Sequence, residues 1–598
     1  MTARLRSLLT IVAGVALVAA ACGGEVSVSV DTEDREAAPT TQAPDTAEPA
    51  TTQAADTQEA DQPPDTVEPD DSTEAPDDQP ATTEPAEESE TTTTQAAEEP
   101  DDAQEADAPE ETTTTEPAEP EGPPPNIYED PRGGIFAEYQ ATMDRGDHPF
   151  MQIDQFCVAH DPAPDRVATD TGIEANSISI VHLRTRLEDL VDIGFGTDVG
   201  DPAEMFETYV AVVNEQCGGI RGRMIELHTI EAPAYGDTVD AERNAACIQA
   251  IEDLDAVVVV NSSGFGGSAI LCIVEVNETA FITSSSPPLE FMERSGDRLI
   301  VSTATAEEQL SWLALDLIAQ GQLDGRTVGV VSPDTPGVVE AVEGGLVDVL
   351  RDNGVDVAVF SVIGCQGGTV CAEGSVDSAQ QMRAAGIDVF FNTLNVISAP
   401  LYINEMLAQG FKPGDVQFYA SDFNSQAAEL VASKIVQFSG EAGGALYNGA
   451  IILDSRDTGA YRLEGYEPRA FNEMCNDTYG ANSPSGANHE AEDRYEGNAR
   501  YGMTSSVCMK MRILLRGLYD AGDNPTRTDI YAALANLGAV DSNEMYPSSI
   551  RPGKTRTPDV IHNLVFEFPC TKPYPFKVEG FDDGICLYPI NEYRPTPS

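Results

Sequence analysis

Hydroxyl and amide side chains follow the ends of several apolar runs in this chain, and one of them brings a carboxylate. Ala256 to Val260 leads into Asn261, Ser262 and Ser263 and then a Gly-rich turn. Ala280 to Thr283 leads into Ser284, Ser285 and Ser286. Asp388 to Phe391 ends in Asn392, Thr393 and Asn395, and Gln417 to Ala420 ends in Ser421 and Asp422. These groups hydrogen-bond and hold charge. Hydroxyls and unpaired N–H groups where a turn opens a helix suit a carboxylate. Ser and Asn are also ordinary turn residues, and Asp422 can instead cap a helix that starts near Ser425. Covalent chemistry has less support. Ser262 to Ser268 is Ser/Gly-rich but is not G-x-S-x-G, and no His is placed to act as its base. Gly194 to Gly200 imitates a dinucleotide fingerprint, with its third Gly one residue late and no strand running into it. The six histidines (148, 160, 182, 228, 489 and 562) are scattered. No Cys pair has zinc spacing, so neither a metal nor a cofactor is expected.

The elements that position these residues alternate. Ser177 to Leu183 reads as a strand, and Pro202 opens a helix that Gly218-Gly219 ends. Met224 to Ile230 is a strand, Ala241 to Leu254 a helix, and Ala256 to Val260 a wholly apolar strand of the kind parallel sheets cover on both faces. Strands at 280–283, 327–332, 355–362, 388–391 and 417–420 alternate with helices at 307–320, 337–353, 379–385 and 399–409. This is an α/β pattern with mainly parallel sheets. The strands exceed the usual number for one sheet, so two lobes are expected. In open α/β sheets ligands bind beyond the carboxyl ends of the strands, where the polar groups above lie. Trp312, the only Trp, falls in an amphipathic pattern and reads as packing.

The N-terminus is of another kind. Arg4 and Arg6 precede an apolar run from Leu8 to Ala21, too short to span a bilayer and typical of an export signal. Val18-Ala19-Ala20-Ala21-Cys22 resembles a bacterial lipobox, in which the Cys takes a lipid; ordinary cleavage after Ala21 also fits. Residues 31–125 hold one basic residue, Arg35, and about thirty acids, with almost no aliphatics. Such a segment buries too little apolar surface to offset its ordering entropy, and its charges repel. Residues 22–125 are therefore expected to form an extended stalk, about 300 Å long if fully stretched. Its Thr runs at 91–94 and 112–115 can carry O-linked sugars. The formal charge of −69 argues against nucleic acid and anionic membrane surfaces as partners.

Of eleven cysteines, ten remain if Cys22 is lipidated, and an even number in an exported chain suggests disulfides. Cys247 and Cys272 lie on the helices flanking strand 256–260, which can sit side by side. Proximity in sequence suggests Cys365–Cys371, Cys475–Cys508 and Cys570–Cys586, and Cys157–Cys217 is the pair left over. Residues 126–170 fit no strand–helix repeat and read as an N-terminal extension tied down by Cys157.

A specific resemblance lies in Asn214-Glu215-Gln216-Cys217-Gly218-Gly219-Ile220-Arg221-Gly222-Arg223. It resembles the N-E-x-x-G-G-I-x-G-R/K signature of type 1 periplasmic solute-binding proteins, such as the leucine/isoleucine/valine-binding proteins. Phe281 to Pro287 resembles the family's V-I-S-x-x-A/S-T-x-P strand end. Val330 to Gly337 resembles its second-lobe opening without the usual aromatic, and Ala521 to Arg527 its late A-G-x-x-P-T-R turn. The resemblance spans about 177–590. It implies two Rossmann-like lobes joined by a hinge of three crossovers and closing on a ligand. The expected division is a signal peptide at 1–21, lobe I at 171–300 and 432–540, and lobe II at 301–431 and 541–598. It also implies a non-enzymatic, lipid-anchored extracytoplasmic monomer that delivers a small polar solute, an amino acid first among the candidates, to a membrane ABC permease. First-lobe Ser and Thr then hold the ligand's carboxylate and Asp422 its ammonium. A ligand sensor of the same fold, an extracytoplasmic hydrolase and a wall-associated structural protein stay as alternatives.

Overall fold

A computed structural model describes residues 148–597 except 192–193, 197, 237, 367, 490–498, 543 and 573–583. The expected signal peptide, Cys22, the acidic stalk and the start of the extension lie outside the described residues.

The first lobe is a five-stranded parallel sheet in the order β2-β1-β3-β4-β5. Its strands are β1 (Ser177–Arg186), β2 (Met224–Pro233), β3 (Val258–Asn261), β4 (Ala280–Thr283) and β5 (Leu299–Val301). All four residues of β3 are buried, as a β-branched run covered on both faces requires. The helix Pro202–Gln216 starts where Pro202 stands at its head and the Asp201 carboxylate accepts from the N–H groups of Ala203 and Glu204. Its buried side, Met205, Phe206, Tyr209 and Val213, packs on the sheet and on the helix Ala499–Asp520.

The second lobe holds β6 (Val328–Pro333), β7 (Val357–Ile363), β8 (Val389–Asn392), β9 (Gln417–Ser421) and β10 (Ile451–Asp454). After a separate antiparallel pair, β11 (Gly538–Val540) and β12 (Ser548–Ile550), two further antiparallel strands, β13 (Val560–Glu567) and β14 (Cys586–Pro589), extend the edge of the lobe's sheet, giving the order β14-β13-β10-β9-β8-β6-β7. The helix Ala306–Ala319 opens with a capping box between Thr305 and Glu308 and buries Trp312 in this lobe's core. The helical pattern at 337–353 contains a wider turn at Glu343–Val347. Gly345 lies so close to the helix Ala306–Ala319 that a Cβ on it would sit 2.6 Å from the Cα of Glu307.

The lobe boundaries differ from those expected. Residues 432–454 belong to the second lobe, because the helix Glu429–Tyr447 packs on Ser398–Ala408 and β10 pairs with β9 and β13. Local periodicity says nothing about which sheet a segment joins, and that is settled by pairing with distant strands. The chain crosses between lobes at 302–305, 455–469 and 541–559. These crossings are stitched together by bridges between Val301 and Arg556 and between Arg456 and Glu544.

All five expected disulfides are present: Cys157–Cys217, Cys247–Cys272, Cys365–Cys371, Cys475–Cys508 and Cys570–Cys586. Cys157 ties the extension to the first lobe, where Phe156 stacks on Tyr209 at 4.8 Å. Arg512 donates to the carbonyls of Gln152, Gln155 and Phe156 on the same segment.

The Asn214–Arg223 motif is a structural joint between the helix Pro202–Gln216 and β2. The Asn214 amide exchanges two hydrogen bonds with the Ile225 backbone, at 3.0 and 2.9 Å. The buried Arg223 guanidinium donates to the carbonyls of Glu174, Val167 and Asp523 and to Asn524. Gly219 has φ +70°, and a Cβ there would lie 2.3 Å from the Arg223 carbonyl oxygen. Gly219→Ala is therefore expected to lower stability by about 2 kcal/mol, through left-handed strain and a backbone clash that cannot relax locally. Urea denaturation of parent and variant checks this, and an unchanged midpoint refutes it.

Candidate functional site

The carboxyl ends of β1 and β3 meet. The Thr185 methyl lies 3.4 Å from where a Cβ on Gly264 would stand. Asn261 holds the turn by donating to the carbonyls of Leu183, at 2.7 Å, and Ser263, at 3.2 Å. This leaves three hydroxyls, Thr185 Oγ1, Ser262 Oγ and Ser263 Oγ, buried and without a partner among the described residues. Each unpaired buried polar atom costs about 1–3 kcal/mol, so a native cluster of them calls for an explanation.

Lys510, on the helix Ala499–Asp520, lies behind the turn. It is fully buried, and its Nζ donates to the Ser262 carbonyl at 2.7 Å and to Ser506 Oγ at 2.8 Å. Burial pushes its pKa down to about 7. His182 of β1 is also fully buried, with its ring 4.2 Å from that of Phe206 and both nitrogens unpaired. Burial first, and then the charges of Lys510 and Arg184, push it down to about 3. Thr185, His182 and Lys510 were not singled out by sequence. Lys510 had a signal, as one of two cations, with Arg512, inside the otherwise apolar stretch Val507 to Leu515 of a helical pattern.

The other first-lobe serines are engaged. Ser284 Oγ donates to the Ser262 carbonyl at 3.4 Å, and Ser285 Oγ to that of Phe265 at 2.7 Å. Ser286 Oγ lies 3.2 Å from Thr303 Oγ1 in the first crossover and accepts from Gln309 at 2.8 Å. In the second lobe Asn392 is buried; its amide donates to Gln426 at 3.4 Å and accepts from the Leu394 N–H. Asn395 Oδ1 accepts from the N–H groups of Ile397 and Ser398, while its amide donates to the Thr369 carbonyl. Ser421 accepts from the Phe423 N–H.

Asp422 departs from its expected role. Its carboxylate pairs with Arg456 at 2.5 Å, and Arg456 also reaches Asp454 at 3.3 Å. Burial raises the Asp422 pKa to about 7 against the pull of Arg456. Asp454 is held well below the usual carboxylate range, because Arg456 and His562 outweigh the opposing effect of burial. The carboxylate expected to meet a ligand's ammonium is thus taken by an arginine.

The lobes touch around a cleft. Phe195, on the loop after β1, stacks on Phe438 of the helix Glu429–Tyr447 at 3.9 Å. Lys434 and Gln437 of that helix donate to the carbonyls of Gly196 and Gly194, each at 3.3 Å. Thr369, in the loop closed by Cys365–Cys371, donates to the Ala234 carbonyl at 3.2 Å. Between the loop and the helix lies an open cavity of about 630 Å³, lined by Thr185, Glu188, Asp198, Asp201, Lys434 and Gln437 among others. The volume suits a small solute. Glu567, Cys570 and Cys586 place ligand-type atoms within 4.8 Å of one another. Both sulfurs are in a disulfide, so that group offers a metal only one carboxylate.

This is a two-lobed α/β protein with mainly parallel sheets. No protein-family model matches the chain, and no curated protein matches it. Solved structures similar to it include a solute-binding protein of an ABC transporter from Rhodopseudomonas palustris in complex with 4-hydroxybenzoate. That one is 12% identical with a TM-score of 0.49, covering 71% of this chain and 98% of that one. A branched-chain amino acid ABC transporter protein from Thermus thermophilus with bound valine is similar at 12% identity and a TM-score of 0.48, covering 71% and 97%. A leucine-binding protein from Thermotoga maritima is similar at 13% identity and 0.47, covering 69% and 99%.

Proposed function

We propose that this protein captures a small, acid-bearing polar solute between its lobes and delivers it to an ABC importer. It does so outside the cytoplasm, anchored to the membrane through lipidated Cys22. The observation that carries the reading is the cluster of unpaired hydroxyls, Thr185 on the wall of the cleft and Ser262 and Ser263 on the turn packed beside it. A bound carboxylate supplies the acceptor these hydroxyls lack. Contacts from both lobes suit a trap whose closed form a ligand stabilises. The five disulfides suit an oxidising compartment. The work is binding, and no covalent step is part of it. Ser284, Ser285, Ser286, Asn392, Asn395 and Ser421 support this site by holding its turns.

A thermal-shift screen of organic acids, amino acids, amides and short peptides tests the reading, since a ligand that binds only the folded protein raises the midpoint by mass action. Ser262→Ala with Ser263→Ala is expected to weaken binding of the solute found by tenfold or more. Unchanged affinity moves the site elsewhere. Cys22→Ser is expected to release the protein from the membrane fraction, and retention at the parent's level refutes the lipid anchor.

A further inference from the structure

Two amines near the cleft stand apart from its ion pairs. Every carboxylate named on its first-lobe rim is already engaged. Glu188 pairs with Arg184 at 2.8 Å, and Glu231 shares that guanidinium at 2.7 Å. Asp198 pairs with Arg500 and accepts from the Gly200 N–H. Asp201 caps the helix Pro202–Gln216. In the second lobe Asp422 is spent on Arg456. Two amines have no such match. Lys510 donates to one carbonyl and one hydroxyl. Lys434, on the opposite wall, donates to the Gly196 carbonyl and the Gln437 amide oxygen. Neither amine has a carboxylate within ion-pair distance among the described residues. A buried charge without a counter-ion is costly, and an ionic ligand is one way to supply it.

Lys510 is placed to act through the backbone. Its ammonium holds the carbonyl of the Ser262–Ser263 peptide. In a planar trans peptide the N–H points opposite to the C=O, so the Ser263 N–H points away from the ammonium. The peptide dipole is thereby aligned with its positive end away from Lys510. Thr185, Ser262 and Ser263 add hydroxyl donors at this turn and the adjoining strand end.

We infer that the solute is an organic acid with no ammonium beside its carboxylate, its acid group held by Thr185, Ser262 and Ser263 with Lys510 behind them as the positioning charge. The inference rests on the proposed solute-binding function and narrows its substrate class. A zwitterionic amino acid would place an ammonium where each of these carboxylates already has a partner and where Lys434 and Lys510 repel it. An acid without the ammonium meets donors and positive charge.

The test uses matched ligands on the purified protein: 4-methylpentanoate against leucine, 3-phenylpropanoate against phenylalanine, and the carboxamide of each acid. Calorimetry on the parent is expected to show an acid bound at least tenfold tighter than its amino acid. In Lys510→Met the preference of the acid over its carboxamide is expected to fall at least tenfold. A merely structural effect would weaken acid and carboxamide alike, and that result overturns the role of Lys510. Ser262→Ala, which leaves the helix core untouched, should weaken acid binding independently. Asp422→Asn is expected to leave acid affinity within about twofold. Tighter binding of leucine or phenylalanine, lost in Asp422→Asn, overturns the inference while leaving the solute-binding function standing. No binding in any series, together with an empty solute screen, overturns both.

Discussion

Glu429→Ala is expected to lower the unfolding free energy by about 3–5 kcal/mol, the range for removing one partner of a buried ion pair. Glu429 stands at the head of the helix Glu429–Tyr447 and joins three separate parts of the chain. Arg462, in the second crossover, reaches its carboxylate with Nε at 2.9 Å and Nη2 at 2.8 Å. The Tyr461 hydroxyl donates to its other oxygen, and the Leu587 N–H of β14 donates at 3.3 Å. The side chains of the pair are 0% and 4% exposed, so water cannot take over for the missing carboxylate. Arg462 also donates to the Lys572 carbonyl, a neutral acceptor that does not replace a carboxylate. Glu429→Gln should cost less, because the amide oxygen still accepts. Guanidinium denaturation of the three proteins measures the order, and a Glu429→Ala variant within about 1 kcal/mol of the parent contradicts it.

His182 is expected to make the protein acid-sensitive. Folded, it stays neutral down to about pH 3, whereas in an unfolded chain a histidine takes its proton near pH 6.5. Between these values the unfolded state binds more protons, so stability falls as pH falls. The contribution is fully present above pH 6.5 and is lost on acidification toward pH 3. At about 1.4 kcal/mol per pH unit, going from pH 6.5 to 4 removes roughly 3 kcal/mol. His182→Leu has no proton to take up and should flatten this part of the curve. Urea midpoints of parent and variant at pH 7, 5.5 and 4 provide the measurement. Carboxylates such as Asp454 also lose pairing in acid, so the difference between the two proteins is what counts. Parallel curves would show that His182 is not the acid-labile group.

Local patterns carried much of this fold into view before any coordinates. The β-branched run Ala256 to Val260 announces a strand covered on both faces, and Pro202 behind Asp201 announces a helix start. The five cysteine pairs followed from parity, chain proximity and one adjacency of helices. The rule that ligands sit beyond strand ends pointed to Ser262 and Ser263, whose hydroxyls the fold leaves unpaired. These features depend on neighbours a few residues apart.

Tertiary structure decided what depends on distant partners. The sequence pattern named no strand after 417–420 and put residues 432–540 in the first lobe, but β10 lies in the second sheet, paired with β9 and β13. Sequence showed a carboxylate at Asp422, but Arg456, 34 residues away, neutralises it. Lys510 and Ser262 are separated by 248 residues, and their 2.7 Å contact exists only because the last long helix of the first lobe returns to cover its sheet. Hydrophobic period tells which face of an element is buried and says nothing about what it is buried against. Which charges around the cleft are paired is therefore a property of the folded protein.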